Sequence, residues 1–380
     1  MKNETLKSYV IAKIEYYGPR ARYPRLHGKN AIRGYHGFGG TVEVAKITTD
    51  QGTFGWASLC RNVSIARQVE SRLLGKRLSD VFDLESGILD DELLPFDLAL
   101  HDLAGRILNM PVCQMINPTP NYKVRVYDAA IYMNDIIPEE APFGVEQVLK
   151  DCADDYARGY RAMKIKIGRS HKWMDHDIGL TRDIEIVNTV AERFPDVVLM
   201  ADANDGYSLD DCYTFFEGIR NVNLYWFEEP FREDVEKYRK LREYMKRNCP
   251  STLIADGEAL WDGGEPITDI PILFQLAEER LLDIWMPDVC DYGFTAWRKL
   301  MPQLVEKGYL SSPHAWGQVL KTHYSAHLAA AYPRQVPYAE GVLGSTEGID
   351  YSNYKFSNGI LEIPQSPGFG MDFVWAPQLL

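Results

Sequence analysis

Acidic side chains stand at the ends of three consecutive apolar segments that we predict to be β-strands. The carboxylates are Asp202 in Ala-Asp-Ala-Asn, Glu228 in Phe-Glu-Glu-Pro and Glu258 in Ala-Asp-Gly-Glu. Taken singly, each is typical of a turn or a helix cap. Three that converge would repel one another unless a cation neutralised them, and an all-oxygen set suits Mg²⁺ before Mn²⁺ or Ca²⁺. We therefore expect a magnesium site, with Mn²⁺ as the alternative ion and with Glu229 and Asp256 as neighbouring candidates for the same role.

Groups able to transfer protons stand at the ends of other predicted strands. Lys164 and Lys166 in Met-Lys-Ile-Lys-Ile share one strand face, because side chains alternate with a period of two residues. A solvated face is the simpler interpretation of such a pair, but both faces of a barrel strand are normally covered. Asp288 and His314 end two later strands, where a carboxylate can orient an imidazole and stabilise its charge. Glu340 ends the last strand and adds a carboxyl group at the same place.

Eight short apolar strands that alternate with helical stretches would position these side chains. The strands begin near Val124, Ala162, Val197, Leu224, Thr252, Leu282, Gly308 and Val336. Parallel strands need crossovers of this length, and eight strand–helix units close a (β/α)₈ barrel whose chemistry lies at the C-terminal strand ends. An open doubly wound sheet would more often show a Gly-rich first turn, and no G-x-G-x-x-G follows a strand. We predict the α/β class, with a TIM-like barrel over residues 123–345.

An α+β capping domain is expected over residues 1–122. Its small antiparallel sheet is indicated by strand-like alternation at 9–14, 41–47 and 55–57. The apolar spacing becomes helical from about residue 63 to 110. The C-terminal segment 346–380 is too short for a further domain, so we expect it to pack on the capping domain.

The segment 18–40 between the first two strands is rich in Gly, Arg and His and is too long for a plain connector. We interpret it as a loop that covers the substrate. Arg20, Arg25 and Arg33 could bind a distal carboxylate or hydroxyl groups through bidentate hydrogen bonds. The alternative is that some of these arginines pair with acidic groups on the barrel surface.

Composition excludes several functional classes. With 380 residues, 46% of them hydrophobic and 25% charged, the chain is typical of globular proteins. Its net charge of −13 argues against nucleic acid as a partner. Six scattered cysteines without a C-x-x-C pair indicate free thiols. The charged N-terminus and the lack of an apolar run near ~20 residues favour a cytoplasmic protein without a membrane partner.

Together these motifs resemble the enolase superfamily and, within it, the mandelate racemase subgroup, many members of which are acid-sugar dehydratases. The motifs are Lys164-x-Lys166, Asp202-x-Asn204, Glu228-Glu229-Pro230, Gly257-Glu258, Pro287-Asp288 and Pro313-His314-x-Trp316-Gly317. Relatives similar to muconate cycloisomerase carry a lysine on the sixth barrel strand and lack the histidine on the seventh. The presence of Asp288 therefore favours the racemase-like subgroup.

The resemblance implies a role for each of these residues. The implied metal ligands are Asp202, Glu228 and Glu258. The implied acid–base catalysts are Lys166 and His314, supported by Lys164, by Asp288 and by Glu340 as a hydrogen-bond partner of the substrate carboxylate. Asn204 and Trp316, which stand in the same motifs, are candidate substrate-binding residues. The resemblance also implies a homo-oligomer.

Two reactions are consistent with this set of residues. The first is dehydration of a sugar acid, an aldonate or aldarate, to a 2-keto-3-deoxy acid. The second is racemisation or epimerisation of a 2-hydroxy acid. Both begin with loss of the proton α to a carboxylate, which requires a stabilised enediolate, and we expect Lys164 to lower the pKa of Lys166 so that it can act as a base. A catalytically inactive binding protein is a remote third possibility, because it would be expected to have lost at least one of these residues.

Overall fold

Small antiparallel sheets and short helices form the first part of the chain in the computed structural model, which describes residues 2–258, 261–262, 265–266 and 270–374. The strands are β1 Ile11–Tyr17, β2 Arg20–His27, β3 Gly37–Thr41, β4 Val44–Thr49, β5 Phe54–Ser58, β6 Phe82–Asp83 and β7 Gly87–Ile88. The helices are α1 Lys2–Leu6, α2 Val63–Val69, α3 Asp97–Ile107 and α4 Val112–Ile116. Short 3₁₀ helices lie at Glu70–Arg72, Leu78–Asp80 and Asp91–Phe96.

The helix α3 packs across the sheet formed by β1, β4 and β5. The approach is so close at Gly55 that a Cβ atom there would lie 2.2 Å from the backbone nitrogen of Leu103. Only glycine fits at this crossing, because any side chain would push the helix away from the sheet.

Eight parallel strands and the helices between them form the second part of the chain. The parallel strands are β8 Lys123–Ile131, β9 Ala162–Lys166, β10 Val198–Asp202, β11 Leu224–Glu228, β12 Leu253–Asp256, β15 Ile284–Trp285, β16 Leu310–Ser311 and β17 Ala339–Gly341. A ribbon of two short strands, β13 Trp261–Asp262 and β14 Glu265–Pro266, follows β12. The helices are α5 Val145–Ala157, α6 Arg169–Lys172, α7 His176–Arg193, α8 Leu209–Gly218, α9 Val235–Asn248, α10 Ile270–Glu278, α11 Phe294–Lys307 and α12 Val319–Ala331, with a 3₁₀ turn at Asn134–Ile136.

The strand order is that of a closed barrel. Strands β8 to β12, β15 and β16 pair in sequence, and β17 pairs in parallel with β8. Two hydrogen bonds join the region of β16 to the chain at and before β17. The backbone nitrogen of Ser311 donates to the backbone oxygen of Gln335 (2.6 Å), and Oγ of Ser312 donates to the backbone oxygen of Tyr338 (3.1 Å). The predicted α/β barrel with an α+β cap is confirmed, and each predicted strand begins within three residues of an observed one.

The inner face of the barrel determines where the polar side chains lie. An apolar cluster inside the barrel includes Ala162, Met200 and Trp226. Because side chains alternate along a strand, Lys164, Asp202 and Glu228, each two residues further on, point to the same inner face. The apolar cluster therefore fills the barrel interior directly beneath these polar groups.

The segment 18–40 differs from the predicted loop. Within it, β2 and β3 pair with each other in antiparallel fashion, and β2 also pairs with a strand of the C-terminal segment. Arginine and glycine occupy six of the thirteen positions of these strands, so the enrichment in β-branched and aromatic residues that normally indicates a strand is missing. The irregular parts are the two residues 18–19 and the connection 28–36.

The C-terminal segment contacts both parts of the chain. Its strands are β18 Ser345–Thr346, β19 Ile349–Asp350, β20 Lys355–Ser357, β21 Ile360–Glu362 and β22 Asp372–Phe373. Near its end, the nitrogen of Phe369 donates to Oδ1 of Asp102 (2.7 Å) in α3, in agreement with packing on the capping domain. The hairpin of β20 and β21 instead pairs with the first residues of β8, because β8 extends beyond the part that β9 and β17 cover. Among the described helices, none is both long enough and apolar enough to cross a membrane.

Candidate metal and acid–base site

Three carboxylates from consecutive barrel units converge at the C-terminal ends of the strands. One oxygen from each of Asp202, Glu228 and Glu258 lies within 4.8 Å of the other two. Asp202 and Glu228 are fully buried, and Oε2 of Glu258 is a buried atom without a hydrogen-bond partner. A buried, all-oxygen donor set with an unsatisfied oxygen fits a hard divalent ion such as Mg²⁺. The residues that the sequence proposed as metal ligands are thus brought together.

The two neighbouring carboxylates have other partners. Glu229 accepts a hydrogen bond through Oε2 from Nδ2 of Asn204 (3.1 Å), and Asp256 accepts one from the hydroxyl of Tyr238. Asn204 is buried beside Glu229 and does not line the cavity described below. The converging set of carboxylate oxygens consists of Asp202, Glu228 and Glu258, without Glu229 and Asp256.

Both lysines of β9 are buried among these carboxylates. The ammonium group of Lys164 donates to Glu228 and lies 3.3 Å from oxygens of Asp202 and Glu340. Burial opposes a charge on Lys164, but the surrounding carboxylates, Glu228 above all, hold its pKa well above the ordinary value. Lys164 is therefore a fixed positive charge that balances the cluster.

The pKa of Lys166 differs from the sequence-based expectation. Burial, the largest single influence, and the positive charge of Lys164 act to lower it. The carboxylates of Asp202, to which Lys166 donates a hydrogen bond, and of Glu258 and Glu228 together outweigh them and raise it. The sequence shows the charge of Lys164 two positions away, whereas the nearest charge is that of Asp202 on the adjacent strand β10. In this arrangement Lys166 is an ammonium group that can donate a proton.

His314 and Asp288 form a hydrogen-bonded dyad. Nδ1 of His314 donates to Oδ2 of Asp288 over 3.0 Å, which leaves Nε2 directed toward Oε2 of Glu258 at 3.4 Å. The other oxygen of Asp288 accepts from the backbone nitrogens of Cys290 (2.8 Å) and Asp291 (3.1 Å). Burial disfavours a charged imidazole, yet the facing carboxylates raise the pKa of His314 to about 9.

Glu340 in β17 is a further buried polar group of the site. It accepts a hydrogen bond from the backbone nitrogen of Ala315. Although burial acts in the opposite direction, the positive charges of Lys164 and His314 lower the pKa of Glu340 to about 2. An ionised carboxylate only accepts hydrogen bonds, so a hydrogen bond from Glu340 to a substrate carboxylate would require a proton that this arrangement removes.

A cavity of about 270 Å³ opens onto this site. The barrel contributes, among others, Lys166, Glu258, Asp288, His314, Tyr132 and Trp316. The connection 28–36 contributes Asn30, Ile32, Arg33 and His36. A larger cavity of about 440 Å³ lies at the opposite, N-terminal ends of the strands and contains none of the proposed site residues.

Contacts with the loops that follow β8 and β9 hold the connection 28–36 over the cavity. Nε1 of Trp173 donates to the oxygen of Asn30 over 2.6 Å. The ammonium group of Lys29 pairs with Glu139 and lies 4.5 Å from the ring of Trp173. The capping domain thus supplies one wall of the cavity.

The three candidate arginines lie in different environments. Arg33 lines the cavity, as proposed. Arg25 instead donates to Asp155 and to the backbone oxygen of Ala130, and it does not reach the cavity. Arg20 is exposed and also lies outside the cavity. The structure therefore places Arg20 and Arg25 away from this cavity, and the alternative of pairing with the barrel describes Arg25.

Several residues of the cavity wall are not among those that the sequence identified. Tyr132 follows β8 and packs its ring against those of Trp316 (5.1 Å between ring centres) and His36 (4.6 Å). Its position after a barrel strand was the signal that could have identified it. Lys321, which donates to Oδ2 of Asp288 over 2.7 Å, lies in helix α12, and no pattern in the sequence distinguishes it.

The chain is similar to a known protein family and to several individual proteins. The sequence model of a family described as enolase C-terminal domain-like matches residues 147–376. A galacturonate dehydratase from a Geobacillus species, solved with D-galacturonate and 5-keto-4-deoxy-D-galacturonate, is 32% identical, with 97% of this chain and 95% of that chain covered and a TM-score of 0.85. A mandelate racemase/muconate lactonizing protein from Geobacillus sp. Y412MC10, solved with magnesium and tartrate, is 30% identical, with 97% and 93% covered and a TM-score of 0.86. The D-galactarolactone cycloisomerase of Agrobacterium fabrum is 24% identical, with 87% of this chain and 88% of that protein covered.

Proposed function

The chain belongs to the enolase superfamily and, within it, to the mandelate racemase subgroup, and from that premise we propose that it dehydrates a sugar acid. The reaction removes the proton on the carbon α to the carboxylate and releases the hydroxyl group of the β carbon as water. The resulting enol then becomes a 2-keto-3-deoxy acid by tautomerisation. Atoms balance without an added oxidant or reductant, so the only co-reactants are proton donors and acceptors.

The observation that carries this proposal is that Lys166 and His314 line one cavity beside the carboxylate cluster. They come from β9 and from the chain after β16, so two separate elements present proton-transferring groups to one substrate. Elimination needs two such groups, since one must first lose its own proton and then take the α-proton, while the other must protonate the departing hydroxyl. The orientation of His314 is fixed by Asp288, and that of Lys166 by Asp202.

Asp202, Glu228 and Glu258 would hold Mg²⁺, which when bound stabilises the negative charge that develops on the substrate carboxylate. Lys164 adds a permanent positive charge next to this cluster, and its hydrogen bond to Glu228 holds that ligand in place. The capping connection 28–36 covers the cavity and limits the access of water. The name of the 32% identical relative, a galacturonate dehydratase, supports a sugar acid as substrate.

A substrate screen with two variants tests the proposal. The purified protein with Mg²⁺ is incubated with a library of sugar monoacids and diacids, and 2-keto products are trapped with semicarbazide. We expect a product that Lys166→Ala and His314→Asn each reduce by at least about 100-fold. Lys299→Ala and His171→Asn, which change exposed residues of the same types outside the cavity, should leave the rate unchanged.

Two results would contradict dehydration. Exchange of the α-hydrogen with solvent deuterium, without a keto product, would indicate racemisation or epimerisation by the same pair. A keto product that persists in both variants would mean that other groups transfer the protons.

A further inference from the structure

Carboxylates outside the metal cluster line much of the cavity. Asp205, Glu229, Glu233 and Asp291 all belong to its wall. They come from the chain after β10, β11 and β15, so three different barrel units contribute them. This part of the wall offers oxygens that accept hydrogen bonds.

Two lysines that line the same cavity are already paired with carboxylates. Lys166 donates to Asp202, and Lys321 donates to Oδ2 of Asp288 over 2.7 Å. His36 also lines the cavity, but burial lowers its pKa, so it is uncharged at neutral pH. Arg33 lies at the exposed rim. Apart from Arg33 at the rim, the positive charge of the cavity wall is therefore concentrated at the reacting end, where one substrate carboxylate would bind.

We propose that this cavity selects sugar acids that carry one carboxylate, such as uronates or aldonates, and discriminates against diacids such as aldarates. The inference rests on the proposed dehydration and narrows its substrate class. Hydroxyl groups donate hydrogen bonds to wall carboxylates, and the polyol chain of a monoacid presents several of them. A second carboxylate has no proton to donate and would meet charges of its own sign, which is costly in a partly desolvated site.

Negative charge is already unfavourable at two carboxyl groups of this wall, because the pKa of each is raised. Burial and the neighbouring Glu233 raise the pKa of Asp205 to about 7. Burial and Asp288 likewise raise the pKa of Asp291. A further carboxylate placed beside these groups would raise their pKa values more, and that increase is unfavourable for binding the diacid.

The test compares a hexuronate with the aldarate that differs from it only in having a carboxylate in place of the aldehyde. Both are measured on the Mg²⁺-loaded protein, by kcat/KM for the keto product and by calorimetric Kd. We expect a preference for the monoacid of at least about tenfold in both quantities. At pH ~8, above the pKa of Asp205, Asp205→Asn and Asp291→Asn keep the shape of the side chain and remove negative charge, so each should reduce the preference by about threefold or more. Asp210→Asn removes the same charge from an exposed position outside the cavity and should leave the preference unchanged.

Each other outcome has a definite meaning. Equal or better use of the diacid by the parent protein would overturn the inference and leave the proposed dehydration intact. A loss of diacid binding alone in Arg33→Met would show that Arg33 binds a second carboxylate, which also overturns it. Selective binding of the monoacid without a keto product would instead refute the dehydration and leave the charge selectivity standing. A protein that binds neither acid would refute both.

Discussion

The ammonium nitrogen of Lys321 lies 2.7 Å from Oδ2 of Asp288. The same oxygen accepts the hydrogen bond from Nδ1 of His314, and backbone nitrogens occupy the other oxygen of the carboxylate. Lys321 thus fixes the position of Oδ2 from helix α12, outside the strands that carry the other site residues. It holds the carboxylate that orients the imidazole.

We predict that Lys321→Met lowers kcat for the proposed dehydration by about tenfold or more, with KM changed by less than about threefold. The reason is that Asp288 loses a partner and no longer holds His314 in one orientation. Lys321→Arg, which can still donate to Oδ2, should recover most of the rate. Steady-state kinetics on the Mg²⁺-loaded protein measure both values. A rise in KM with unchanged kcat would show that Lys321 binds substrate directly.

The carboxylate cluster leads to a prediction about metal affinity. Glu258→Gln removes one charge from the set that holds Mg²⁺, so the calorimetric Kd for Mg²⁺ should rise by at least about tenfold. Glu229→Gln removes the same charge from a neighbouring residue outside the cluster and should have a much smaller effect. Chelation should abolish turnover, and added Mg²⁺ should restore it. An equal loss of affinity in the two variants would mean that Glu229 also binds the ion.

The pairing of Arg25 with Asp155 predicts a large effect on stability. The two side chains are only 14% and 0% exposed, so Arg25→Met would leave a buried carboxylate with the half-exposed Arg158, 3.5 Å from its Oδ1, as its remaining cation. We expect a loss of about 3 kcal/mol in the free energy of unfolding, measured by denaturant titration. The matched change Arg20→Met, at an exposed position of the same strand, should cost less than about 0.5 kcal/mol. Similar losses in both variants would contradict a structural role specific to Arg25.

The barrel and the carboxylate cluster could be predicted from the sequence because both depend on local order. Each barrel strand is a short apolar run, and each ligand stands at the end of its own strand, so the topology brings them together without knowledge of packing. Asp202 and Glu228, for example, lie side by side because they are paired positions of β10 and β11. The two strands in segment 18–40 lack such an apolar run, because arginine and glycine occupy six of their thirteen positions.

Contacts between distant elements could not be predicted. Arg25 meets Asp155 across 130 positions of the chain, and Lys321 meets Asp288 across 33. Which way such a side chain points depends on how a strand of the cap or an outer helix packs, and no periodicity in the sequence specifies that. The pKa of Lys166 illustrates the same limit, because its nearest charge, Asp202, belongs to another strand.

His327 links stability to pH through a buried network. Its Nδ1 accepts a hydrogen bond from the backbone nitrogen of Cys113 (3.0 Å), and its Nε2 pairs with the hydroxyl of Tyr354 (2.9 Å). A proton on Nδ1 would break the first of these bonds. Burial, assisted by the nearby His323, lowers the pKa of His327 to about 3.

The unfolded chain binds a proton at this histidine near pH ~6.5, whereas the folded protein does so only at a much lower pH. The stabilisation from neutral His327 is therefore complete above pH ~6.5 and is lost as pH falls, by about 1.4 kcal/mol per pH unit. We predict that His327→Gln removes this component, so that the difference in unfolding free energy between parent and variant shrinks by about 2 kcal/mol from pH ~6.5 to ~5. Denaturant titrations at both pH values measure it, with the exposed His171→Gln as control. The same pH dependence in the parent and in His327→Gln would show that the protein protonates this residue without cost.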